Sequence, residues 1–149
     1  MRLRGLDRAL YTERAFLKKY WVNDMKTDNK SVGAFGEASA CTFLKHKGYK
    51  ILDRNYRNRG GEIDIIARKD DYIVFVEVKT RNSEDFGAPS EAVNVIKQQK
   101  IVNTAMSFIM QNGSDSDYRF DVIEVMYKRS VFGGFKTVKV NHIENAFGV

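Results

Sequence analysis

The stretch from Gly60 to Arg81, Gly-Gly-Glu-Ile-Asp-Ile-Ile-Ala-Arg-Lys-Asp-Asp-Tyr-Ile-Val-Phe-Val-Glu-Val-Lys-Thr-Arg, restricts the fold more than any other part of the chain. From Glu62 to Arg68 the residues alternate between Glu62, Asp64 and Ile66 on one side and Ile63, Ile65 and Ala67 on the other. Tyr72 to Thr80 is dense in β-branched and aromatic residues, and both patterns belong to strands. Strands this close in sequence pair as a hairpin, with Lys69 and Asp70 as the expected turn. A two-residue loop there sets Arg68 across from Asp71, Asp64 across from Phe75 and Glu62 across from Glu77. Facing residues share a side of the sheet, so Glu62, Asp64, Glu77 and Lys79 project one way. A three-residue turn would shift the register by one and send Asp64 to the other side.

This geometry carries chemistry. Asp64 becomes the diagonal neighbour of Glu77, about 7 to 8 Å away between backbones, a gap that two side chains and one hard divalent cation span. Two carboxylates ~4 Å apart repel by roughly 4 kcal/mol at an effective dielectric of about 20, so the pair needs water, Lys79 or a metal ion beside it. Mg²⁺ suits the pair, with Mn²⁺ as the alternative, because it takes one or two carboxylates and keeps its waters. Lys79 would hold an attacking water or neutralise charge developing on a phosphate. The competing reading is an ordinary solvated hairpin face. Against it, Val74, Val76 and Val78 fill the other face while Ile73 and Phe75 precede Glu77, so the second strand reads as buried on both sides. A glutamate there needs a partner, because unpaired buried charge is strongly disfavoured.

At 149 residues the chain is long enough for one cored domain with an appended segment, expected at 33–149 and 1–32. Cys41 is the single cysteine, so no internal disulfide forms, and a reducing compartment is expected. No transmembrane-length apolar run or signal-peptide core appears, and the expected location is the cytoplasm. The net charge of +6 points to a polyanionic partner. Residues 1–32 contribute +4 of it and residues 33–149 only +2, so a nucleic-acid site in the main domain must be a local patch.

Within 2–21, Leu3, Leu6, Leu10, Leu17 and Trp21 form one helical stripe, which suits docking on this domain or on a second copy; a basic helix on nucleic acid or a membrane surface is the competing reading. A second helix is expected from Ser31, its candidate cap, to Lys47, with Gly48 as the stop and Ala34, Ala38 and Cys41 on the buried face. Leu44 and Glu37 flank that face, which turns Glu37 toward the sheet. A strand follows over Tyr49 to Tyr56. Lys45, Lys47, Lys50, Arg54, Arg57 and Arg59 stand here against Asp53, a basic run placed to guide phosphate toward the carboxylates. Beyond Arg81 a breaker-rich loop holds Pro89. Ser90 to Gln111 reads as a helix with Ile101, Ala105, Phe108 and Ile109 inward, while Lys97, Gln98 and Lys100 either reach a substrate or solvate the surface. Tyr118 to Tyr127 is a further buried strand with Arg119 and Asp121 as internal partners, and Gly133-Gly134 turns a last hairpin into Phe135 to Ile143.

Gly36-Glu37, Asn55-x-Arg57, Gly61-Glu62-Ile63-Asp64, Phe75-Val76-Glu77-Val78-Lys79-x-Arg81, Arg119-Phe120-Asp121 and Asn145-Ala146-Phe147 together resemble the YraN family, a bacterial family with a restriction-endonuclease-like fold. The resemblance runs from about Gly33 to Phe147. It implies a PD-(D/E)XK nuclease site, similar to that of Holliday-junction resolvases: Asp64 and Glu77 as metal ligands, Lys79 as the lysine, Glu37 as an added helix ligand. Ile63 stands where the signature has proline, which leaves the ligands intact.

The expected architecture is α/β, with a restriction-endonuclease-like core of helix, three strands, helix and strand around a mixed sheet flanked by helices. The expected function is Mg²⁺-dependent hydrolysis of DNA phosphodiesters, with branched or irregular DNA as a candidate substrate. Asp64, Glu77, Lys79 and Glu37 would carry the chemistry, and Arg54, Arg57, Arg59, Arg81, Lys97 and Lys100 would contact nucleic acid. A catalytically silent module binding nucleic acid or a partner is the alternative. RNA and a homodimer stay open as partners, and no membrane partner is expected.

Overall fold

The hairpin at the centre of the sequence is also the centre of the sheet. The computed structural model describes residues 28–84, 93–113 and 115–148. The expected helix over 2–21, and most of the loop before the second long helix, lie outside these residues. The chain divides into two units, Met1–Ala34 and Phe35–Val149. The site lies in the second.

Residues 28–46 are helical (α1). Lys50–Asn58 (β1), Gly61–Lys69 (β2) and Tyr72–Asn82 (β3) follow, then Val95–Asn112 (α2), Asp117–Arg129 (β4) and Phe135–Phe147 (β5). Among the described residues the strands form one sheet in the order β1-β2-β3-β4-β5. Neighbours are antiparallel except β3 and β4, which run parallel. A parallel pair cannot be closed by a tight turn, and the connection that contains α2 supplies the crossover. The expected α/β core with a mixed sheet and flanking helices is therefore present.

Each helix covers one face. Ala40, Cys41 and Leu44 of α1 pack on Tyr49, Ile65, Ala67, Val74, Val76, Ile123 and Val125. Ile101, Val102 and Ala105 of α2 pack on Ile63, Ile66, Ile73, Phe75, Phe120 and Val122. β3 is thus buried on both sides, as its unbroken apolar run requires. Burying each of these large side chains stabilises the fold by about 1.5–3 kcal/mol before entropy is counted. Within the second layer the Phe75 and Phe120 rings stack at 5.6 Å and Phe120 and Phe147 at 5.2 Å.

Several local expectations are corrected. The hairpin turn is Asp70-Asp71, because Arg68 pairs with Ile73 and Lys69 with Tyr72. Asp70 takes φ 52, the left-handed value that a two-residue hairpin turn needs at its first central position and that aspartate tolerates. The register moves by two residues, so the side of the sheet is kept. Residues 28–30 are already helical, so Ser31 is not a cap. Ala34 and Ala38 are exposed, and the inward stripe of α1 is Gly36, Ala40, Cys41 and Leu44. α2 begins at Val95, with Asn94 as its cap, its Oδ1 accepting from the Lys97 backbone N–H at 2.8 Å; the expected start at Ser90 lies outside the described residues. Gly113 ends α2 with φ 55.

Arg119 and Asp121 are internal partners, as expected, and they anchor the last strand. The buried Asp121 carboxylate accepts from Arg119 Nε at 3.1 Å and from the Asn145 backbone N–H at 2.9 Å, and it lies 2.8 Å from His142 Nε2. Arg119 Nη2 also reaches the Tyr49 hydroxyl at 2.6 Å. This network ties β5 and the entry to β1 onto β4. Among the described residues, no helix is long and apolar enough to cross a membrane.

Candidate active site

Asp64 sits where the sheet comes apart. The β2–β3 pairing runs from the turn to Ile65↔Val76 and goes no further. Beyond it the Asp64 carboxylate, through Oδ2, accepts the backbone N–H of Val78 at 2.7 Å. A side chain has replaced a ladder acceptor. On the other flank, Arg54 pairs with Ile65 and Tyr56 with Ile63, and between them Asn55 adopts φ 53. The extra residue of this strand pair is Leu52, between Ile51 and Asp53; at Asn55 the register is unshifted and the backbone instead turns left-handed opposite Asp64. Strict alternation breaks there: Ile65 joins the α1-side core and Ile63 the α2-side core, although both were expected on one face.

Glu77 is the other half of the site. It is only 8% exposed, on the α2 side of β3. Its Oε1 lies 3.0 Å from Lys97 Nζ, whereas Oε2 is buried and finds no hydrogen-bond partner among the described residues. Burial, with the Glu77 charge as the second cause, pushes the Asp64 carboxyl from 3.8 up to about 7; the Val78 N–H and Lys97 pull against this, and Glu37 adds to it. The two carboxylates therefore crowd one another inside the protein. Burial acts to lower Lys97, but its hydrogen bond to Glu77 and the charges of Glu77, Asp64 and Glu62 outweigh that, and the ammonium is held above its ordinary value.

Lys97 comes from the first turn of α2, and its side chain is 45% exposed. Sequence reasoning placed it among nucleic-acid contacts; folding brings it onto Glu77. Lys79 lies two residues beyond Glu77 on the same side of β3, half-buried and level with Glu124 of β4. Arg81 continues the row, with its Nε buried and without a hydrogen-bond partner among the described residues.

Glu37 faces the sheet, as its place on the helix stripe implied. It accepts from Asn55 Nδ2 at 2.8 Å, with Arg54 Nη2 at 3.9 Å from the same oxygen. Arg57 donates to Glu62 at 2.8 Å. The pair Asn55 and Arg57 thus holds two acidic residues at the rim, a role sequence reasoning missed for both. An asparagine inside a strand was the available signal, since asparagine enters the left-handed region more readily than most residues. Arg59 and Lys100 are exposed near the β1–β2 turn, which packs on α2 where Gly61 leaves space for Thr104 and Lys100.

Among the described residues, no group of three or more His, Cys, Asp or Glu side chains converges as a metal cage. A carboxylate pair, Glu77 buried and Asp64 half-buried, with one orphaned oxygen nonetheless fits a hard cation that keeps most of its waters. The chemistry of the donors and the open Glu77 Oε2 match such an ion.

The model of Uncharacterised protein family UPF0102 matches residues 36–125. The chain belongs to this family. It is the family of the YraN resemblance, and the matched span contains Glu37, Asp64, Glu77 and Lys79. A UPF0102 protein of Alkaliphilus oremlandii is 54% identical over 122 residues, covering 80% of this chain and 99% of the relative. UPF0102 proteins of Caldanaerobacter subterraneus and Geobacter metallireducens are 50% and 45% identical, covering 82% and 83% of this chain and 98% and 97% of those relatives.

Proposed function

We propose that this UPF0102 protein is a divalent-metal-dependent endonuclease that hydrolyses DNA phosphodiesters. One observation carries the reading: Asp64 and Glu77 are crowded together where the β2–β3 ladder stops, with an orphaned buried oxygen on Glu77 and the Asp64 carboxyl pushed up to about 7. Lys97 offsets only one of the two charges, so with Asp64 ionised the pair carries a surplus negative charge that a divalent cation would relieve. Mg²⁺ or Mn²⁺ held by Asp64 and Glu77 would polarise a phosphoryl oxygen and acidify a bound water. Lys79, on the same side of β3, would orient that water or stabilise the charge that builds on phosphorus. Glu37, held by Asn55, would add a carboxylate through water or a second ion. Arg54, Arg59, Arg81 and Lys100 are the candidates for backbone phosphates, and Lys97 joins them once it leaves Glu77.

The test is cleavage of labelled duplex, single-stranded, flap and four-way-junction DNA and of RNA, in Mg²⁺, Mn²⁺ or EDTA, with wild type beside Glu77→Gln and Lys79→Ala. Metal-dependent cutting that both substitutions abolish is expected. Cutting that survives in Glu77→Gln would sink the reading. A silent nucleic-acid-binding or partner-binding module is the second reading. It is favoured by the Lys97 ammonium, which already neutralises Glu77. That reading requires no cleavage and no heat of cation binding by calorimetry.

A further inference from the structure

The strongest feature outside the site is the tip of the β4–β5 hairpin. Val131 and Phe132 are 94% and 98% exposed. Large apolar side chains are uncommon at turn centres, where Gly, Asn, Asp, Ser and Pro serve the geometry. Their display here is built. The Gly133 N–H donates to the Ser130 carbonyl at 3.0 Å, the Ser130 N–H donates to the Gly134 carbonyl at 3.0 Å, and the Phe132 N–H donates to Ser130 Oγ at 3.3 Å. Gly133 and Gly134 take φ 91 and 76, values that glycine adopts without strain. Below the tip, the Phe135 ring packs against Phe35 at 5.5 Å and Tyr127 at 5.3 Å. The hairpin is thus pinned at its base and holds two apolar side chains out in water.

Charge and direction indicate what meets them. Val125 to Val140 holds Lys128, Arg129, Lys136 and Lys139 and no acidic residue. β4 runs parallel to β3, with Val122 level with Glu77, and it extends past the end of β3 through Lys128 and Arg129. At about 3.3 Å per residue the strand carries the basic stalk roughly 23 Å beyond the level of Glu77, about seven nucleotide steps of ~3.4 Å. A polyanion lying along the sheet from Lys79 and Arg81 would reach this stalk. An aromatic ring held in water beside phosphate-binding cations is the arrangement that stacks on an unpaired base or wedges into a base step.

We propose that Val131 and Phe132 form a wedge that engages unstacked bases of branched or interrupted nucleic acid, with Lys128 and Lys136, which pair across the hairpin, on the flanking phosphates. The inference rests on the proposed function only in its substrate class. The test compares wild type with Phe132→Ala and Val131→Ser/Phe132→Ser in EDTA. Anisotropy binding is measured to a four-way junction, a bulged duplex and an uninterrupted duplex of the same sequence, with 2-aminopurine at the branch. Thermal melting checks the fold, which should not change because both side chains are exposed.

Loss of about tenfold or more in affinity for the junction and bulge is expected, with duplex affinity within about twofold and the 2-aminopurine signal lost. Equal affinity of wild type and variants for branched DNA would overturn the wedge. So would Phe132-dependent sedimentation with phosphatidylserine vesicles and no effect on DNA. Phe132-dependent binding without cleavage in any metal would keep the wedge and sink the nuclease reading. Cleavage whose substrate preference Phe132→Ala leaves intact would do the reverse.

Discussion

Asp64 is where one side chain's environment has the clearest measurable consequence. Its carboxyl is raised from 3.8 to about 7, first by burial and then by Glu77, so the folded protein holds a proton that the unfolded chain releases between those values. Stability from this group is fully present below about pH 4 and is lost as pH rises to about 7. Asp64→Asn keeps an oxygen for the Val78 N–H and removes the titration. In EDTA the variant is expected to match wild type near pH 4 and to exceed it by about 2 to 4 kcal/mol at pH 8, at roughly 1.4 kcal/mol per pKa unit. Denaturant melts across that range check it, and a constant offset would show that the proton is held elsewhere. Lys97→Met removes the counter-charge of Glu77. Because Lys97 is half-exposed, the expected loss at pH 7 without cation is modest, about 1–3 kcal/mol. Calorimetry should then show tighter Mg²⁺ or Mn²⁺ binding; weaker binding would make Lys97 a support of the site, not a competitor.

At the scale of elements, Gly36 explains why a glycine precedes Glu37. A Cβ there would overlap Thr80 Oγ1 and come within 2.9 Å of Thr80 Cβ on β3. Its absence lets α1 lie close enough to bring Glu37 to Asn55. Gly36→Ala is expected to cost about 1–3 kcal/mol in thermal or chemical unfolding. Gly36→Ala/Thr80→Ala should recover most of that loss, and a double variant as unstable as the single one would place the strain elsewhere. The Asp121 network plays the matching part at the other edge, where an aspartate buried on β4 fixes Asn145 and His142 of β5. That anchoring gives the exposed hairpin tip a rigid base.

For the whole molecule, the net charge of +6 does not count the cations at the site, because +4 of it lies in residues 1–32 and an ion pair adds nothing to it. Arg57 is held by Glu62 and Lys97 by Glu77. Arg54, Arg59, Arg81 and Lys100 are left for phosphate at the site, so binding to uninterrupted duplex should depend on salt with a slope of about −4, for roughly four phosphates at about −0.9 each. Arg59→Ala is expected to make the slope shallower by about 0.9, whereas Arg57→Ala should barely change it. Anisotropy titrations from 50 to 300 mM salt would decide, taking that range as roughly the accessible one. Equal changes in the two variants would contradict the role of Glu62.

The sequence by itself determined the strands, the two core helices, the double burial of β3 and the pairing of Arg119 with Asp121, because each rests on local periodicity or on residues two positions apart. Asp64 and Glu77 were legible as a pair because a shift of register by two residues preserves the side of a sheet, so even a misplaced turn left them together. Tertiary structure decided the rest. Lys97 is 20 residues from Glu77 and reaches it across a crossover connection whose path no local pattern fixes. Asn55 takes a left-handed backbone and its side chain meets Glu37 on α1, a choice the residue permits but does not dictate. Which face of α1 turned inward depended on where β3 could accept a helix without a side chain, and that place is Gly36 against Thr80. Val131 and Phe132 read as ordinary apolar residues in sequence; only the folded hairpin shows that nothing in the described chain covers them.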